Sequence, residues 1–210
     1  KKYIPIAVFF VILLVFLAHF GARLTLAEPA FTFAETQKEV YLTFDDGPST
    51  KVTNRILDTL KKENVKATFF IVSDRVSGRE ETLRRIAAEG HTVGVHSKSH
   101  EYSKIYATDQ SLLDDIAGRF PGGGLKDRER RAKLIEAQGY TVVGWNAVCG
   151  DEEIKNASAK MLFETAVKTS AGQNTVVLLC HDSAFRKETA EALPRIIAYY
   201  RAQGYVFRAF

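Results

Sequence analysis

Adjacent carboxylates at Asp45 and Asp46, paired imidazoles at His96 and His100, and a further imidazole at His181 are the side chains of this 210-residue chain best suited to metal binding and proton transfer. The acids follow Val40–Phe44, a β-branched and aromatic stretch that reads as a strand, and precede Gly47-Pro48, which cannot continue one. Successive strand residues face opposite ways, so the two acids can share a site only where the strand breaks, and Gly47 and Pro48 provide the break. Taken alone, this strand end reads as a solvated turn. His96 and His100 are four residues apart, a spacing that on a helical turn puts both rings on one face, able to grip one ion. Asp46 is then the natural third ligand. Two imidazoles and one carboxylate leave coordination positions open for water and substrate, the pattern of a catalytic rather than a structural metal site. Position lifts the set above coincidence, because the acid pair and the histidine pair each begin where an apolar strand stops.

His181 closes a third such strand, Leu178-Leu179-Cys180-His181-Asp182. By itself it reads equally as a histidine satisfied by local backbone. Arg119-Phe120-Pro121-Gly122-Gly123-Gly124 sets a cation beside a rigid proline and accessible backbone amides, or is simply a flexible loop. Trp145 ends another apolar stretch and reads as core or as pocket wall.

The elements that must position these groups alternate. Val52–Asn64 has helical apolar spacing with Ser49 or Thr50 as cap; Ala67–Val72 is a strand buried on both faces; Glu80–Glu89 is a helix stopped by Gly90; His91–Val95 is a strand. After a short helix over Gln110–Ala117, the helix Lys126–Gln138 leads to a strand at Tyr140–Trp145. The helix Ala157–Ala171 leads to the strand Thr175–Cys180, and the helix Lys187–Gln203 to the last strand, Tyr205–Phe210. Such alternation predicts an α/β fold with a parallel sheet, open or closed into a barrel, and ligands at the carboxyl ends of the strands. No apolar strand leads into Arg119, so the sheet is expected to lack a strand there.

An apolar content of 46% over this length predicts one folded domain, residues 39–210. Ahead of it, Lys1-Lys2 precede an uncharged apolar run from Tyr3 to Phe20. That run approaches the roughly 20 residues of a membrane span. Residues 1–27 are therefore expected to be an uncleaved anchor, or a cleaved signal with Thr25-Leu26-Ala27 as its site, and residues 28–38 a linker. The lysines keep the amino end cytoplasmic, so the domain is expected outside the membrane, or secreted if the segment is cleaved. Basic residues are scattered despite the net charge of +4, so no nucleic-acid surface is indicated. Cys149 and Cys180 lack metal-type spacing and could form a disulfide or be two buried thiols, of which buried thiols are expected.

Taken together, these motifs resemble the NodB-homology polysaccharide deacetylases, carbohydrate esterase family four, over the stretch from Glu39 to the carboxyl terminus. The resemblance rests on Thr-Phe-Asp-Asp-Gly-Pro at 43–48, His-Ser-x-x-His at 96–100, Arg-Phe-Pro-Gly-Gly at 119–123, Trp-Asn at 145–146 and Leu-x-His at 179–181, in the family's order. It implies a distorted (β/α) barrel, a divalent ion such as Zn2+, Co2+, Ni2+ or Mn2+, and an N-acetylated glycan as substrate, peptidoglycan or a chitin-like oligosaccharide; separately, the chain is expected to be a monomer. It further implies that Asp46, His96 and His100 hold the metal, that Asp45 is the general base oriented by Arg119, and that His181 is the general acid. Pro121, Gly122, Trp145 and Leu179 would contact substrate, Gly122 through its amide at the oxyanion and Trp145 and Leu179 around the acetyl methyl. Three departures stand out: Gly144 replaces an acid expected to support the site's charged network, the segment before Arg119 is short, and Gly124–Arg130 is abbreviated.

Two other readings remain open on the sequence. One is a glycan-binding relative that keeps the metal but has weak chemistry. The other is a non-haem Fe(II) oxygenase, which also uses two histidines and a carboxylate but needs neither Asp45 nor His181.

Overall fold

The computed structural model of the chain describes residues 37–115 and 125–210. Among them, six parallel strands form one sheet: β1 (Glu39–Gly47), β2 (Thr68–Val72), β3 (Thr92–Ser97), β4 (Ala147–Val148), β5 (Thr175–His181) and β6 (Val206–Arg208). The strand order is β3-β2-β1-β5-β4, and the sheet is open, as in a distorted barrel. β6 pairs with Glu39–Tyr41 and β2 with β1 from Thr43 onward, so these two strands share one flank of the central strand. Helices α1 (Val52–Lys62), α2 (Glu80–Ala88), α3 (Tyr102–Ile105), α4 (Asp109–Asp115), α5 (Leu125–Glu136), α6 (Ala159–Thr169) and α7 (Lys187–Ala202) fill the connections. This is the α/β alternation the sequence predicts.

Burial explains the arrangement. Val40, Leu42 and Phe44 of β1 enter the main core with Val52, Ile56, Leu57 and Leu60 of α1 and with Ile196, Ile197 and Tyr200 of α7. Val176, Leu178 and Cys180 of β5 lie in the same core. With a side-chain period of two, Thr43, Asp45, Leu179 and His181 are left on the other face of the sheet. β2 is buried at every residue, in keeping with its unbroken apolar sequence. At the start of α1, Ser49 Oγ accepts from the Thr53 N–H at 3.1 Å, although the residue flanking the helix is Lys51.

Several boundaries differ from expectation. β1 runs through Asp45 and Asp46 to Gly47, β3 includes His96, and β5 includes His181, so these side chains belong to the strands and not to the loops after them. Tyr140–Trp145 is not a strand. Asn146 takes its place on the edge of β5: Oδ1 accepts from the Val177 N–H at 2.7 Å and Nδ2 donates to the Thr175 carbonyl at 2.8 Å. A side-chain amide there satisfies the groups that a strand would have paired, and the ladder begins only at Ala147. Val142 packs instead against a small separate cluster of Ile105, Leu112 and Ile135.

Cys149 and Cys180 are buried thiols not joined in a disulfide, as expected. Among the described residues between Ser97 and Ala147 there are helices and no strand. Among the described residues no helix is long and apolar enough to cross a membrane. The run Tyr3–Phe20, most of the linker, and Arg119, Pro121 and Gly122 lie outside the described residues.

Candidate active site

Asp46 occupies a β-bulge. The β1–β2 register steps from Asp45 opposite Phe70 to Gly47 opposite Ile71, and Asp46 between them has φ of 76°. The strand therefore does not end before the acids. One extra residue takes Asp46 out of the alternation and lets successive carboxylates address one space. A left-handed conformation costs a non-glycine residue about 1–2 kcal/mol, least for Asp and Asn. Arg75 braces it, donating from Nη1 to the Asp46 carbonyl at 2.6 Å. Glycine is required next, because a Cβ on Gly47 would lie 2.7 Å from Cγ of Asp182 and closer still to its carboxylate oxygens.

The histidine pair is held differently from the expected helical turn. His96 is a β3 residue, and His100 follows a bend at φ of 60°. The bend forms because the Lys98 N–H goes to the Asp115 carbonyl at 2.7 Å and the Ser99 N–H to Asp115 Oδ1 at 3.1 Å, at the end of α4. Both rings still converge on Asp46: its Oδ1 is 3.0 Å from His100 Nε2 and 3.6 Å from His96 Nε2. Ligand atoms of all three residues lie within 4.8 Å of one another. Tetrahedral ligands at about 2.0–2.1 Å from a zinc ion stand roughly 3.4 Å apart, so the cluster fits a shared divalent cation. Asp46 Oδ1 is also buried with no donor aligned on it, a polar atom that a cation would satisfy. Burial pushes the Asp46 carboxyl up, but the imidazoles of His100 and His96, with His181 beyond, hold it well below the usual carboxylate range.

Asp45 is 2% exposed, and its Oδ2 faces Nδ1 of His96 at 3.5 Å. On the next strand its register partner is His181, so the two side chains rise from one face of the sheet, with strands about 4.8 Å apart. Oxygen and nitrogen atoms of Asp46, Glu152 and His181 also lie within 4.8 Å of one another, so His181 and the Asp46 carboxylate border the same space. A cavity of about 380 Å³ opens over it, lined by Asp46, Arg75, Arg79, His100 and Glu152 among others.

Asp151, which the sequence reading missed, governs His181. Its Oδ1 is 2.7 Å from His181 Nδ1, while Oδ2 accepts from the His181 N–H at 2.8 Å and from Thr189 Oγ1 at 2.7 Å. Nδ1 therefore carries a proton, and Nε2 lies 3.6 Å from Glu152, one of the residues lining the cavity. Burial opposes charge on the ring, but the Asp151 bond and charge, then Glu152 and Asp45, raise the His181 pKa to about 9. Asp151 in turn is pushed up by burial and held below its ordinary value by His181 and Thr189. The signal was available: Asp151 follows β4 just as Asp46 closes β1, but placing the strand at Tyr140–Trp145 hid it. Gly144, which stands where an acid was expected, is exposed, and a Cβ on it would touch nothing within 4 Å. The charged network draws on Asp151 instead.

Beneath the acid pair, the Asp182 N–H donates to the Asp45 carbonyl at 3.0 Å, and Thr53 Oγ1 donates to Asp182 Oδ2 at 2.6 Å. Burial, then the Thr53 bond working against it, and the charges of Asp46 and Asp45 leave Asp182 pushed up to about 7. Trp145 is half-buried and Leu179 buried; neither lines the 380 Å³ cavity. The assembly offers a site for a divalent cation, an acid beside it free of that duty, and a protonated imidazole across the space. That is the equipment for adding water to a carbonyl and protonating the group that leaves.

A family model described as polysaccharide deacetylase matches residues 34–141. The peptidoglycan-N-acetylglucosamine deacetylase PgdA of Listeria monocytogenes is 34% identical over 190 residues, covering 85% of this chain but 39% of its own length. The chain thus spans about two-fifths of that relative. A peptidoglycan-N-acetylglucosamine deacetylase of Bacillus cereus is 33% identical over 196 residues, covering 83% of this chain and 70% of itself. Among solved structures, the catalytic domain of peptidoglycan N-acetylglucosamine deacetylase from Eubacterium rectale superposes with a TM-score of 0.73 at 32% identity, over 82% of this chain and 88% of that one.

Proposed function

The chain belongs to the polysaccharide deacetylase family, and from that membership and the geometry above we propose that it hydrolyses N-acetyl groups from a glycan outside the cell, peptidoglycan or a chitin-like oligosaccharide. A divalent cation, zinc in the first instance, held by Asp46, His96 and His100, would polarise the acetamide carbonyl and lower the pKa of the attacking water. Asp45 takes a proton from that water as it adds to the carbonyl carbon. His181 delivers the Nε2 proton to the sugar nitrogen as the C–N bond breaks, so the products are acetate and a free amine. Without that proton the leaving group would be an amide anion, which is why the His181–Asp151 pair carries the proposal: a glycan-binding relative or an oxygenase has no use for an imidazole held cationic above its metal ligands. We further propose that the amino-terminal apolar run anchors the domain to the outer face of the membrane, where such a glycan lies.

The test is acetate release from N-acetylglucosamine oligomers and from peptidoglycan, after chelation and after stepwise return of Zn2+, Co2+, Ni2+ or Mn2+. Release is expected to vanish on chelation and return with metal. Asp45→Asn is expected to lower release by about 10²–10⁴-fold while one metal ion still binds. No release at any metal loading, or full activity of the Asn variant, overturns the proposal.

A further inference from the structure

Phe185 is the most exposed large apolar side chain among the described residues, at 89%. A single exposed aromatic is ordinary, so exposure alone points to no ligand. Its place does. Phe185 lies between β5 and α7 and borders both the cavity over Asp46 and a second cavity of about 260 Å³, which backs onto Asp151 and is lined by Ile154, Asn156, Leu162 and Glu188. The ring is thus the ridge between the two. The loop that presents it is fixed at both ends: the Asp182 N–H is bonded to β1, the Arg186 N–H donates to the Ser183 carbonyl at 3.1 Å, and Arg186 Nη2 donates to Glu152 Oε1 at 3.1 Å. Arg186 also borders both cavities, and its Nε–H is buried there without an acceptor.

An apolar ring at a ridge, aliphatic Ile154, and the polar ends of Asn156, Glu188 and Arg186 match the chemistry of a pyranose, which has a C–H face and a rim of hydroxyls. We propose that the second cavity is a sugar subsite. The glycan residue next to the one being deacetylated packs its C–H face on Phe185, and its hydroxyls are taken by Asn156, Glu188 and the Nε–H of Arg186. This rests on the deacetylase reading.

Metal-loaded protein is assayed on N-acetylglucosamine oligomers from dimer to hexamer. The ratio of kcat/KM for hexamer to that for dimer is expected to be about ten in the wild type, as one aromatic face leaves water, to fall to about one in Phe185→Ala, and to persist in Phe185→Trp. The exposure of the ring makes a folding defect in Phe185→Ala an unsuitable explanation of such a result. A ratio near one in the wild type, or a full ratio in the Ala variant, overturns the subsite. If no oligomer releases acetate, the deacetylase reading falls and binding decides the subsite: hexamer is titrated calorimetrically into zinc-loaded Asp45→Asn with and without Phe185→Ala. About ten-fold weaker binding in the double variant supports the subsite; equal affinity, or no binding to either, overturns it.

Discussion

Replacing Asp151 by Asn tests the acid half of the site, with a signature that a merely structural role would not produce. The side chain keeps its size and loses its charge, and no orientation of the amide serves all three partners. If its oxygen faces Nδ1 of His181, its NH2 meets the His181 N–H, which can only donate; if flipped, it forces His181 into the opposite tautomer. The His181 pKa of about 9 owes most to Asp151, set against burial. With Asp151 neutral, Glu152 and Asp45 work against burial alone, and the ring returns toward its ordinary 6.5, a change worth roughly 3 kcal/mol. At pH 8 the wild-type imidazole is about nine-tenths protonated and the variant's about 3%, so activity falls about 30-fold; at pH 6 the same calculation gives less than two-fold. The stability effect runs the other way. A histidine whose folded pKa is raised adds stability that is full below about 6.5 and lost as pH rises through about 9, so the variant's deficit is larger at pH 6 than at pH 10. A pH–rate profile, imidazole NMR titration of His181 and urea unfolding at the two pH values measure all three. A loss of activity equal at every pH, with His181 still titrating near 9, would refute the reasoning.

Two further substitutions probe the metal half. His96→Ala removes one of the three proposed ligands and is expected to weaken zinc binding by more than about 100-fold, beyond the usual effect of losing an outer partner; chelator competition measures it, and unchanged affinity would remove His96 from the site. Gly47→Ala drives a Cβ into the buried, tethered Asp182 carboxyl. Overpacking of this kind costs about 1–3 kcal/mol, or roughly 2–12 °C in Tm for a domain of this size. A melting temperature within about 1 °C of wild type would show that Asp182 yields freely.

What could be read in the sequence was governed by alternation and by strand ends. β1, β2, β3 and β5 announce themselves through β-branched and aromatic runs, and the groups at their carboxyl ends, Asp46, His96 and His181, are the ones the fold brings together. The rule is directional. His91, at the amino end of β3, is buried and accepts the Ala67 N–H at Nδ1, a structural duty far from the site. What could not be read depended on tertiary competition. Tyr140–Trp145 has strand composition, yet the edge it would join is taken by the Asn146 amide; nothing local distinguishes the two outcomes. The same misplacement concealed Asp151. The bulge at Asp46 and the bend before His100 were hidden for a related reason, since their supports, Arg75 and Asp115, come from elsewhere in the chain.

The chemistry therefore hangs on one register. Because Asp45 is paired with His181 across β1 and β5, a slip of a single residue in that ladder would turn one of them to the core face and leave the site with the proposed base or the proposed acid but not both. Burial opposes the slip strongly: Val176, Leu178 and Cys180 would leave the core as Val177, Leu179 and His181 entered it. Two polar contacts add to this. Thr43 Oγ1 donates to the Leu178 carbonyl at 2.8 Å, and the Asp182 N–H to the Asp45 carbonyl at 3.0 Å, one within the ladder and one at its end. Each would be left buried and unpaired by a shift, at about 1–3 kcal/mol apiece. The apolar core on one face of the sheet thus fixes, rung by rung, which proton donor faces which acceptor on the other.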